Sequence, residues 1–296
     1  MRGFTVAISA VVKSAVGVLE RADVLDRPAQ ALAAKIRGLL SNPSAKDAIS
    51  GTPLGHPVHP PLTDLAIGTF FSASLLDLLL PRAGAPAARR LLTIGIAASL
   101  PTALTGFSDW ADTELSDVRV RRVGLIHATA NLVAVALYSS SLAARRRRSK
   151  AAGTLLALAG AGTLGSSGYL GGHLTYARGV GVDQTVFDPG PEEWTTACSV
   201  AELTEGRLHS VDVDGTPVLL VRQPERIYAI HDRCSHRGCS LSDGELGGRV
   251  ITCPCHGSRF DIRDGGLLQG PATVGQPAFD VQETDGQVRI RRTTRH

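Results

Sequence analysis

Four long apolar stretches follow one another between residues 62 and 172. They cover residues 62–80, 91–107, 123–143 and 151–172, and the last three contain no Asp, Glu, Lys or Arg. Each approaches the ~20 residues that a helix needs to cross a bilayer. Buried helices of a soluble protein could imitate one such stretch, but four in succession, separated by short charged loops, predict a four-helix transmembrane bundle.

A different pattern begins near residue 194. Short segments at 208–213, 217–222 and 227–231 alternate apolar and polar residues, and turn signals stand at Asp214-Gly215 and Asp285-Gly286. This pattern is typical of strands joined by tight turns. The fold class is therefore a multi-domain protein in which an all-α transmembrane bundle is followed by an all-β domain.

The predicted boundaries give four parts: residues 1–50, 51–178, 179–193 and 194–296. The first is an amphipathic N-terminal region, which lies either on the membrane surface or against the bundle as an ordinary helix. The second is the four-span domain. The third is rich in Gly and Pro and is predicted to be a linker, and the fourth is the β domain.

Charge indicates a membrane protein rather than a nucleic-acid-binding one. The net charge of +4 is small for 296 residues, so we expect no nucleic-acid partner. Arginines cluster between the first and second stretches and at 145–148, between the third and fourth. Both loops lie on one side of the bundle, which the positive-inside bias makes cytoplasmic. The chain is thus predicted to be a multi-pass cell-membrane protein in contact with lipid, with an extracytoplasmic β domain.

Two short motifs in the β domain combine cysteine and histidine. One is Cys234-Ser-His236 and the other ends the run Cys253-Pro-Cys255-His256, each expected on a loop between strands. Two thiolates with two neutral imidazoles suit an iron–sulfur cluster that is easier to reduce than an all-cysteine one. Zinc takes the same atoms, but zinc sites more often repeat a Cys-x-x-Cys knuckle.

At these motifs the chain resembles the Rieske family, over about residues 194–292. The resemblance implies a [2Fe-2S] cluster in which Cys234 and Cys253 ligate one iron while His236 and His256 ligate the other. It further implies a disulfide between Cys239 and Cys255 and a contact from the Ser258 hydroxyl to the cluster. It also implies that the loop Gly270-Pro271-Ala272 covers the cluster. The cysteine pair matches Rieske proteins of the cytochrome bc type.

Two residues depart from that pattern. Phe260 stands where high-potential members carry a tyrosine, and the loss of a hydrogen bond to a cysteine sulfur predicts a lower reduction potential. Arg237 replaces the apolar leucine that quinol-oxidising members usually have beside an exposed histidine. It places charge at the expected docking face, which weakens the expectation that quinol is the direct partner.

Histidines also mark the predicted membrane domain. His56, His59, His127 and His173 are expected on the same face of the bilayer as the β domain. His127 and His173 stand at similar depth on antiparallel helices, as two axial ligands of a b-type haem require. A non-haem metal and plain hydrogen bonding within the bundle are the alternatives.

The membrane half resembles a family of uncharacterised four-span bacterial membrane proteins, over about residues 50–182. The resemblance rests on the His56-Pro-x-His59-Pro motif, on Asp109-Trp110 and on Gly171-Gly172-His173. It implies the architecture of the bundle and no settled activity. We expect Trp110 to be an interfacial anchor.

The remaining polar groups are expected to be ordinary structural residues. Asp64 and Asp77 are expected as solvated caps, His209 and His231 as surface residues, and Cys198 as a buried strand residue. The arginine run at 145–148 could also serve as a twin-arginine-like export signal.

The predicted function is membrane-bound electron transfer. The cluster would exchange electrons with a haem in the bundle, with a redox partner protein or with a quinone-linked membrane complex. The alternative is a non-catalytic redox-sensing or assembly subunit. A stand-alone oxygenase would need a further iron held by two histidines and a carboxylate. Because His296 is the only histidine after His256, we expect an electron carrier or oxidoreductase subunit rather than such an oxygenase.

Overall fold

The structure, a computed structural model, describes residues 13–293. It contains two compact units. One consists of residues up to Ser41 together with Val58–Val180, and the other of Asn42–Pro57 together with the chain from Gly181 onward. Residues 42–57 therefore belong with the β domain, although the sequence divided them between the N-terminal region and the membrane domain.

The helical unit is built on four long helices, one over each predicted apolar stretch. The last three extend their stretches at both ends, and the first begins three residues before its stretch and ends one residue before the stretch does. After residues 13–21, which are helical, the helices are α1 (Asp26–Leu39), α3 (His59–Leu79), α4 (Ala85–Thr113), α5 (Val118–Arg146) and α6 (Lys150–Arg178); α2 (Pro43–Ser50) belongs to the other unit. The predicted loop at 108–122 is mostly helical. It is reduced to a short turn before Asp117, whose side chain caps α5 by accepting a hydrogen bond from the Arg119 amide at 2.8 Å.

Within the described part of the chain, three helices are long and apolar enough to cross a membrane by themselves. They are α3, α4 and α5. Helix α6 has 29 residues but is rich in Gly, Ala, Ser and Thr, which lowers its hydropathy. Small residues let helices approach closely inside a membrane bundle, so this composition suits a helix packed among others.

The centre of the bundle is aromatic. Phe70 of α3 stacks on Tyr138 of α5 with ring centroids 4.1 Å apart, and both rings are buried. The Tyr138 hydroxyl lies 3.3 Å from the hydroxyl of Ser74, which satisfies the one polar atom of the ring. A Cβ on Gly160 would lie 3.1 Å from the Tyr138 ring, so the glycine lets α6 pack directly against it.

A buried ion pair joins α3 to α5. Arg145 donates to both carboxylate oxygens of Asp77, and its Nε atom donates to the Ser141 hydroxyl at 3.1 Å. Both charged side chains are almost completely buried. The expectation that Asp77 is a solvated cap was therefore wrong, and Arg145 is a packing residue rather than part of an exposed arginine run.

The N-terminal region packs against the bundle. Ala29 and Ala33 of α1 are completely buried and contact Trp110 and Ala111 of α4. Asp26 pairs with Arg122, with an oxygen–nitrogen distance of 2.6 Å. Of the two placements predicted for this region, the structure has the packed helix; residues 1–12 lie outside the described part.

Trp110 is an internal residue rather than an interfacial anchor. The residue is 7% exposed, and its indole nitrogen donates to the Arg121 carbonyl at 3.2 Å. A Cβ on Gly124 would lie 2.2 Å from the ring, so only a glycine fits beside it. The prediction failed because the tryptophan stands in a helix covered by α1, not in an open loop.

The second unit contains two antiparallel sheets. The larger has the strand order β1-β10-β9-β4-β3-β2 and the smaller β5-β6-β7-β8. The strands are β1 (Thr195–Ser199), β2 (Leu208–Val213), β3 (Thr216–Arg222), β4 (Ile227–His231), β5 (Glu245–Gly247), β6 (Val250–Thr252), β7 (Arg259–Asp261), β8 (Leu267–Gln269), β9 (Ala278–Thr284) and β10 (Gln287–Arg292).

Strand β3 separates two hydrophobic cores. Leu219 and Val221 face one core, while Val218 and Leu220 face the other, as the two-residue period of a strand requires. The first core also contains Cys234, Cys253 and Phe260. The second contains Cys198, which is 8% exposed, as expected for a buried strand residue.

The predicted linker is part of the β unit rather than a free connector. The Gln184 amide donates to the Ser235 carbonyl at 3.0 Å. Asp188 accepts a 2.6 Å hydrogen bond from Thr216 and lies 3.2 Å from Nε2 of His231. His231 is fully buried, so its assignment to the surface was wrong.

Candidate metal centre

Two loops of the β unit share one backbone design. In the first, the Cys234 amide donates to the Cys239 carbonyl at 2.8 Å, and the Gly238 amide donates back to the Cys234 carbonyl at 2.8 Å. In the second, Cys253 bonds in the same way to Ser258 at 2.8 Å, and Gly257 bonds back to Cys253 at 3.1 Å. Each loop therefore begins with a cysteine and closes on itself after six residues.

Glycine closes both loops for a conformational reason. Gly238 has a φ of 76° and Gly257 a φ of 78°, in the left-handed region that other residues rarely adopt. Both loops present a cysteine at the first position. The histidine follows at the third position in one loop, His236, and at the fourth in the other, His256.

The two cysteine sulfurs lie together in the core. Cys234 and Cys253 are 1% and 2% exposed, and their thiols are hydrogen-bonded to each other. Backbone amides of His236 and Arg237 point at the first sulfur, and those of Cys255 and His256 point at the second. Amides directed at sulfur favour the thiolate form, which is the form that ligates metal.

The hydrogen bond between these thiols shifts their pKa values in opposite directions. The hydrogen bond from Cys234 lowers the pKa of Cys253 to about 7. The same contact, together with burial, raises the pKa of Cys234. Two buried thiols that share a hydrogen bond suit a site in which a metal replaces the shared proton.

The two histidine rings meet edge to face. The ring centroids of His236 and His256 are 4.9 Å apart, with an angle of 86° between the ring planes. Within residues 13–293, Nδ1 of His236 is a buried atom that makes no hydrogen bond. Burial lowers the pKa of His236 well below its usual range, so the imidazole stays neutral. A neutral ring with one unsatisfied nitrogen has the form of a metal ligand.

A disulfide joins the two loops. Cys239 and Cys255 are bonded, with their Cα atoms 6.5 Å apart. The sulfur of Cys253 lies within 4.8 Å of both disulfide sulfurs, but oxidised sulfurs do not ligate metal as thiolates do, so these three cysteines do not form a separate site. The donor set that fits a metal is two cysteines and two histidines, one of each from either loop.

This donor set leaves both iron–sulfur and zinc chemistry open, and comparison with known proteins decides between them. A family model described as "Rieske [2Fe-2S] domain" matches residues 193–280. Ferredoxin CarAc of Metapseudomonas resinovorans is 34% identical over 98 residues, which make up 33% of this chain and 92% of that protein. The chain belongs to the Rieske [2Fe-2S] family. Residues 193–280 of the β unit are the matched Rieske domain.

Further comparisons cover both halves of the chain. The ferredoxin component of the naphthalene 1,2-dioxygenase system of Pseudomonas aeruginosa is 35% identical over 99 residues, 33% of this chain and 95% of the relative. A solved complex of oxygenase and ferredoxin in carbazole 1,9a-dioxygenase gives 31% identity and a TM-score of 0.33, covering 34% of this chain and 97% of the matched one. A model for a predicted membrane protein family, DUF2231, matches residues 55–184.

The Rieske domain combines features of two Rieske types. Its relatives include ferredoxin components of dioxygenase systems. Its Cys239–Cys255 disulfide, in contrast, is the feature by which the sequence resembles the cytochrome bc type. A small ferredoxin-like domain is thus built here with cross-linked cluster loops.

The predicted surroundings of the cluster lie close to the ligands. The Ser258 hydroxyl oxygen accepts a hydrogen bond from the Ala272 amide at 3.0 Å, which leaves its hydrogen available to a sulfide. Phe260 is fully buried in the core that contains Cys234 and Cys253. Gly270 and Pro271 precede Ala272 in the loop held by Ser258.

The histidines predicted as haem ligands have protein partners in the helical unit. Nδ1 of His127 lies 2.9 Å from the Ser167 carbonyl, and its Nε2 lies 3.1 Å from the amide nitrogen of Asn131. Nε2 of His173 lies 2.8 Å from the Glu20 carboxylate. A b-type haem between His127 and His173 stays a prediction.

The HPxHP motif of the sequence places its two histidines differently. His59 lies 3.1 Å from the Thr102 carbonyl and 3.0 Å from the Thr105 hydroxyl, so it joins α3 to α4. A Cβ on Gly106 would lie 2.6 Å from the His59 ring. His56, in contrast, is exposed.

Several residues that shape the site were not identified from the sequence. The Asp232 carboxylate accepts hydrogen bonds from the hydroxyls of Ser210, Ser240 and Ser242, at 3.1, 2.7 and 3.2 Å, and so fixes the chain on both sides of the first loop. The density of Ser and Asp around Cys234 was the available signal. Asp47 and Thr52, which contact the loop at 270–272, had no local signal because they stand more than 200 residues away in the chain.

Proposed function

We propose that this protein is a membrane-linked electron-transfer protein whose Rieske domain accepts and releases single electrons. The observation that carries the proposal is the pair of matched loops that presents two buried thiols and two adjoining imidazoles. A [2Fe-2S] cluster, when bound, supplies one-electron chemistry at a potential set by its ligands and surroundings. Cys234, His236, Cys253 and His256 would hold it.

The chain contributes three things to electron transfer. The backbone amides of each loop stabilise negative charge on the sulfurs. The disulfide holds the loops at a fixed separation, which reduces rearrangement when charge changes. The histidines are only partly buried, so one side of the site remains close to solvent and to a partner.

A redox partner protein is the proposed recipient or donor. Its relatives include ferredoxin components of dioxygenase systems, which supports a protein partner over a small-molecule one. Arg237 adjoins His236 in the first cluster loop and is partly exposed, so we propose that the partner presents an acidic surface there. A quinone-linked complex is the second candidate, supported by the membrane helices.

Two finer versions of the function need separate tests. Electron exchange with a haem between His127 and His173 predicts a b-type α band in the dithionite-reduced spectrum of haem-replete protein. A redox sensor or assembly subunit would bind the cluster without supporting turnover with any partner. Both versions use the same Rieske site, and they differ in whether the cluster passes its electron to a haem or to no partner.

The test is spectroscopy on full-length protein purified in detergent. Low-temperature electron paramagnetic resonance of the reduced protein should show the Rieske signal, and metal analysis should give two irons per chain. Replacement of His236 by Cys should abolish the Rieske signature, because the iron would lose a nitrogen ligand. One bound zinc and no iron in protein matured under iron-replete conditions would contradict the proposal.

A further inference from the structure

A short segment from the N-terminal half of the chain contacts the loop that follows strand β8. The Gly270 amide donates to Oδ1 of Asp47 at 2.8 Å, and the Thr52 hydroxyl donates to the Ala272 carbonyl at 3.1 Å. Residues 42–57 and the Rieske domain form one compact unit, so these are contacts within a unit. We call residues 42–57 the clamp segment and residues 270–272 the covering loop.

Local sequence shapes the clamp segment. Asn42 caps helix α2 by accepting a hydrogen bond from the Ala45 amide at 3.0 Å, and Pro43 occupies the first helical position. Gly51 ends the helix with a φ of 91°, which turns the chain into a 3₁₀ turn at Thr52–Leu54. Asp47 on the helix and Thr52 on the turn are thereby directed at the same loop.

The two surfaces fit closely. A Cβ on Gly270 would lie 2.3 Å from the Thr52 hydroxyl oxygen and 3.0 Å from Oδ1 of Asp47. Contacts under 3.0 Å require atoms to move, so the clamp segment could not lie here over a larger residue. The fit shows that this is a packed contact rather than two isolated surface hydrogen bonds.

The covering loop is held from its other side by a residue of the cluster site. The Ala272 amide donates to Ser258 at 3.0 Å while the Ala272 carbonyl accepts from Thr52. Ala272 is 1% exposed. Ala272 alone therefore links the clamp segment to the Ser258 hydroxyl, which is expected to contact the cluster.

The clamp segment is additional to the Rieske domain itself. The Rieske family model matches residues 193–280, and Ferredoxin CarAc aligns with only 33% of this chain. Residues 42–57 fall outside the matched Rieske region. They stand in the chain between α1 and α3 of the helical unit.

We propose that Asp47 and Thr52 are positioning residues that hold the covering loop in place and thereby lower the reduction potential of the Rieske cluster. This inference rests on the proposed function. Reduction adds one negative charge to the site. A fixed carboxylate nearby and the exclusion of water both disfavour that charge. Release of the loop should therefore raise the potential.

The experiment uses full-length protein in detergent and four variants. Asp47→Ala and Thr52→Val each remove one hydrogen bond to the covering loop, and Asp47→Asn keeps an acceptor oxygen but removes the charge. Ser44→Ala, at an exposed position of the same helix, is the matched control. Lys46, whose charge acts on His236, stays in every variant.

Two quantities are measured on each sample. Hydrogen–deuterium exchange of peptides containing Gly270 reports the covering loop without reference to the cluster. Redox titration followed by electron paramagnetic resonance reports the potential. In Asp47→Ala we expect the Gly270 amide to exchange roughly tenfold faster, as loss of a hydrogen bond to a charged group implies. Asp47→Ala and Thr52→Val should both have higher potentials than the wild type.

The variants separate the two contributions. Asp47→Asn should keep slow exchange but shift the potential upward, and Ser44→Ala should change neither quantity. Unchanged exchange in Asp47→Ala, or faster exchange with an unchanged potential, overturns the inference. A wild-type protein that lacks a Rieske signal contradicts the proposed function instead, and the exchange data on that sample still decide whether the clamp contact exists.

Discussion

Single side chains set the properties of the metal centre, and Phe260 is the clearest case. Its ring is fully buried in the core that contains both ligand cysteines. We predict that Phe260→Tyr raises the reduction potential, because a phenol hydroxyl can donate to a cysteine sulfur and stabilise the reduced state. Redox titration checks this. Phe279→Tyr, a buried ring in the other core, is the control, and a potential unchanged or lower in Phe260→Tyr would contradict the prediction.

His231 gives the Rieske domain a dependence on pH. Its Nδ1 accepts a 3.0 Å hydrogen bond from the Arg233 amide, so the neutral ring presents its Nε2–H to Asp188. Burial lowers the pKa of His231, and the hydrogen bond to Asp188 offsets part of that effect. In the unfolded chain the His231 ring takes up a proton as the pH falls below ~6.5, whereas in the folded domain the ring stays neutral to a lower pH. Stability conferred by the neutral ring is thus present above that pH and declines as pH falls below it.

The measurement is thermal unfolding between pH 5 and 8, a range of about three units around the ordinary histidine pKa. His231→Gln is the matched variant, since its amide can accept from Arg233 and donate to Asp188 without titrating. We expect the loss of stability below pH ~6.5 to be smaller in this variant than in the wild type. Parallel pH profiles for the two proteins would show that His231 does not cause the effect.

At the scale of elements, the disulfide connects the two ligand loops across 16 residues of sequence. Closing a loop of about 15 residues contributes roughly 3 kcal/mol to stability in the chain-entropy model. We predict that the double variant Cys239→Ala, Cys255→Ala loses its visible circular dichroism at a lower temperature. Cys198→Ala, which changes a free buried cysteine, is the control for cysteine removal. An unchanged transition in the double variant would show that the loops do not need the cross-link.

In the helical bundle, the buried ion pair between Asp77 and Arg145 joins helices α3 and α5. Breaking a buried pair leaves one charge without a partner and costs about 3–5 kcal/mol. We therefore predict that Asp77→Asn markedly lowers the melting temperature of the detergent-purified protein. Asp64→Asn, at an exposed position of the same helix, should have little effect. Equal melting temperatures for the two variants would be inconsistent with a buried pair.

Local sequence patterns predicted the helices and strands well, but they did not predict which residues pack against these elements. The long apolar stretches identified the four helices, because apolar runs of membrane length are rare outside membrane helices. The sequence predicts an alternating strand at 227–231, but strand β4 is buried along its whole length, so the solvent-facing position expected for His231 was wrong. The pairing of Asp77 with Arg145 and the contact of Asp47 with Gly270 join residues 68 and 223 positions apart. Such contacts depend on tertiary packing, which residue spacing does not encode.

For the whole molecule, the property of greatest consequence is the side of the membrane on which the Rieske domain works. Arg146, Arg147, Arg148 and Lys150 are exposed around the turn between α5 and α6, and Arg82, Arg89 and Arg90 are exposed around the turn between α3 and α4. Exposed positive charge at loops of this kind favours the cytoplasmic side. With α6 as a fourth span, as the sequence predicts, the chain after α6 lies on the opposite side of the membrane from both loops, so we predict that the Rieske domain is extracytoplasmic.

Protease added to spheroplasts checks this topology. A tag placed after His296 should be lost from intact spheroplasts while a soluble cytoplasmic protein in the same cells is preserved. Moving positive charge should also matter: Glu replacements at Arg146, Arg147 and Arg148 leave the buried Arg145 in place but weaken cytoplasmic retention of that loop. We expect a mixed population in that variant, with some tags protected. A wild-type tag that is cleaved only after lysis would place the domain in the cytoplasm and make a cytoplasmic redox protein the partner to seek.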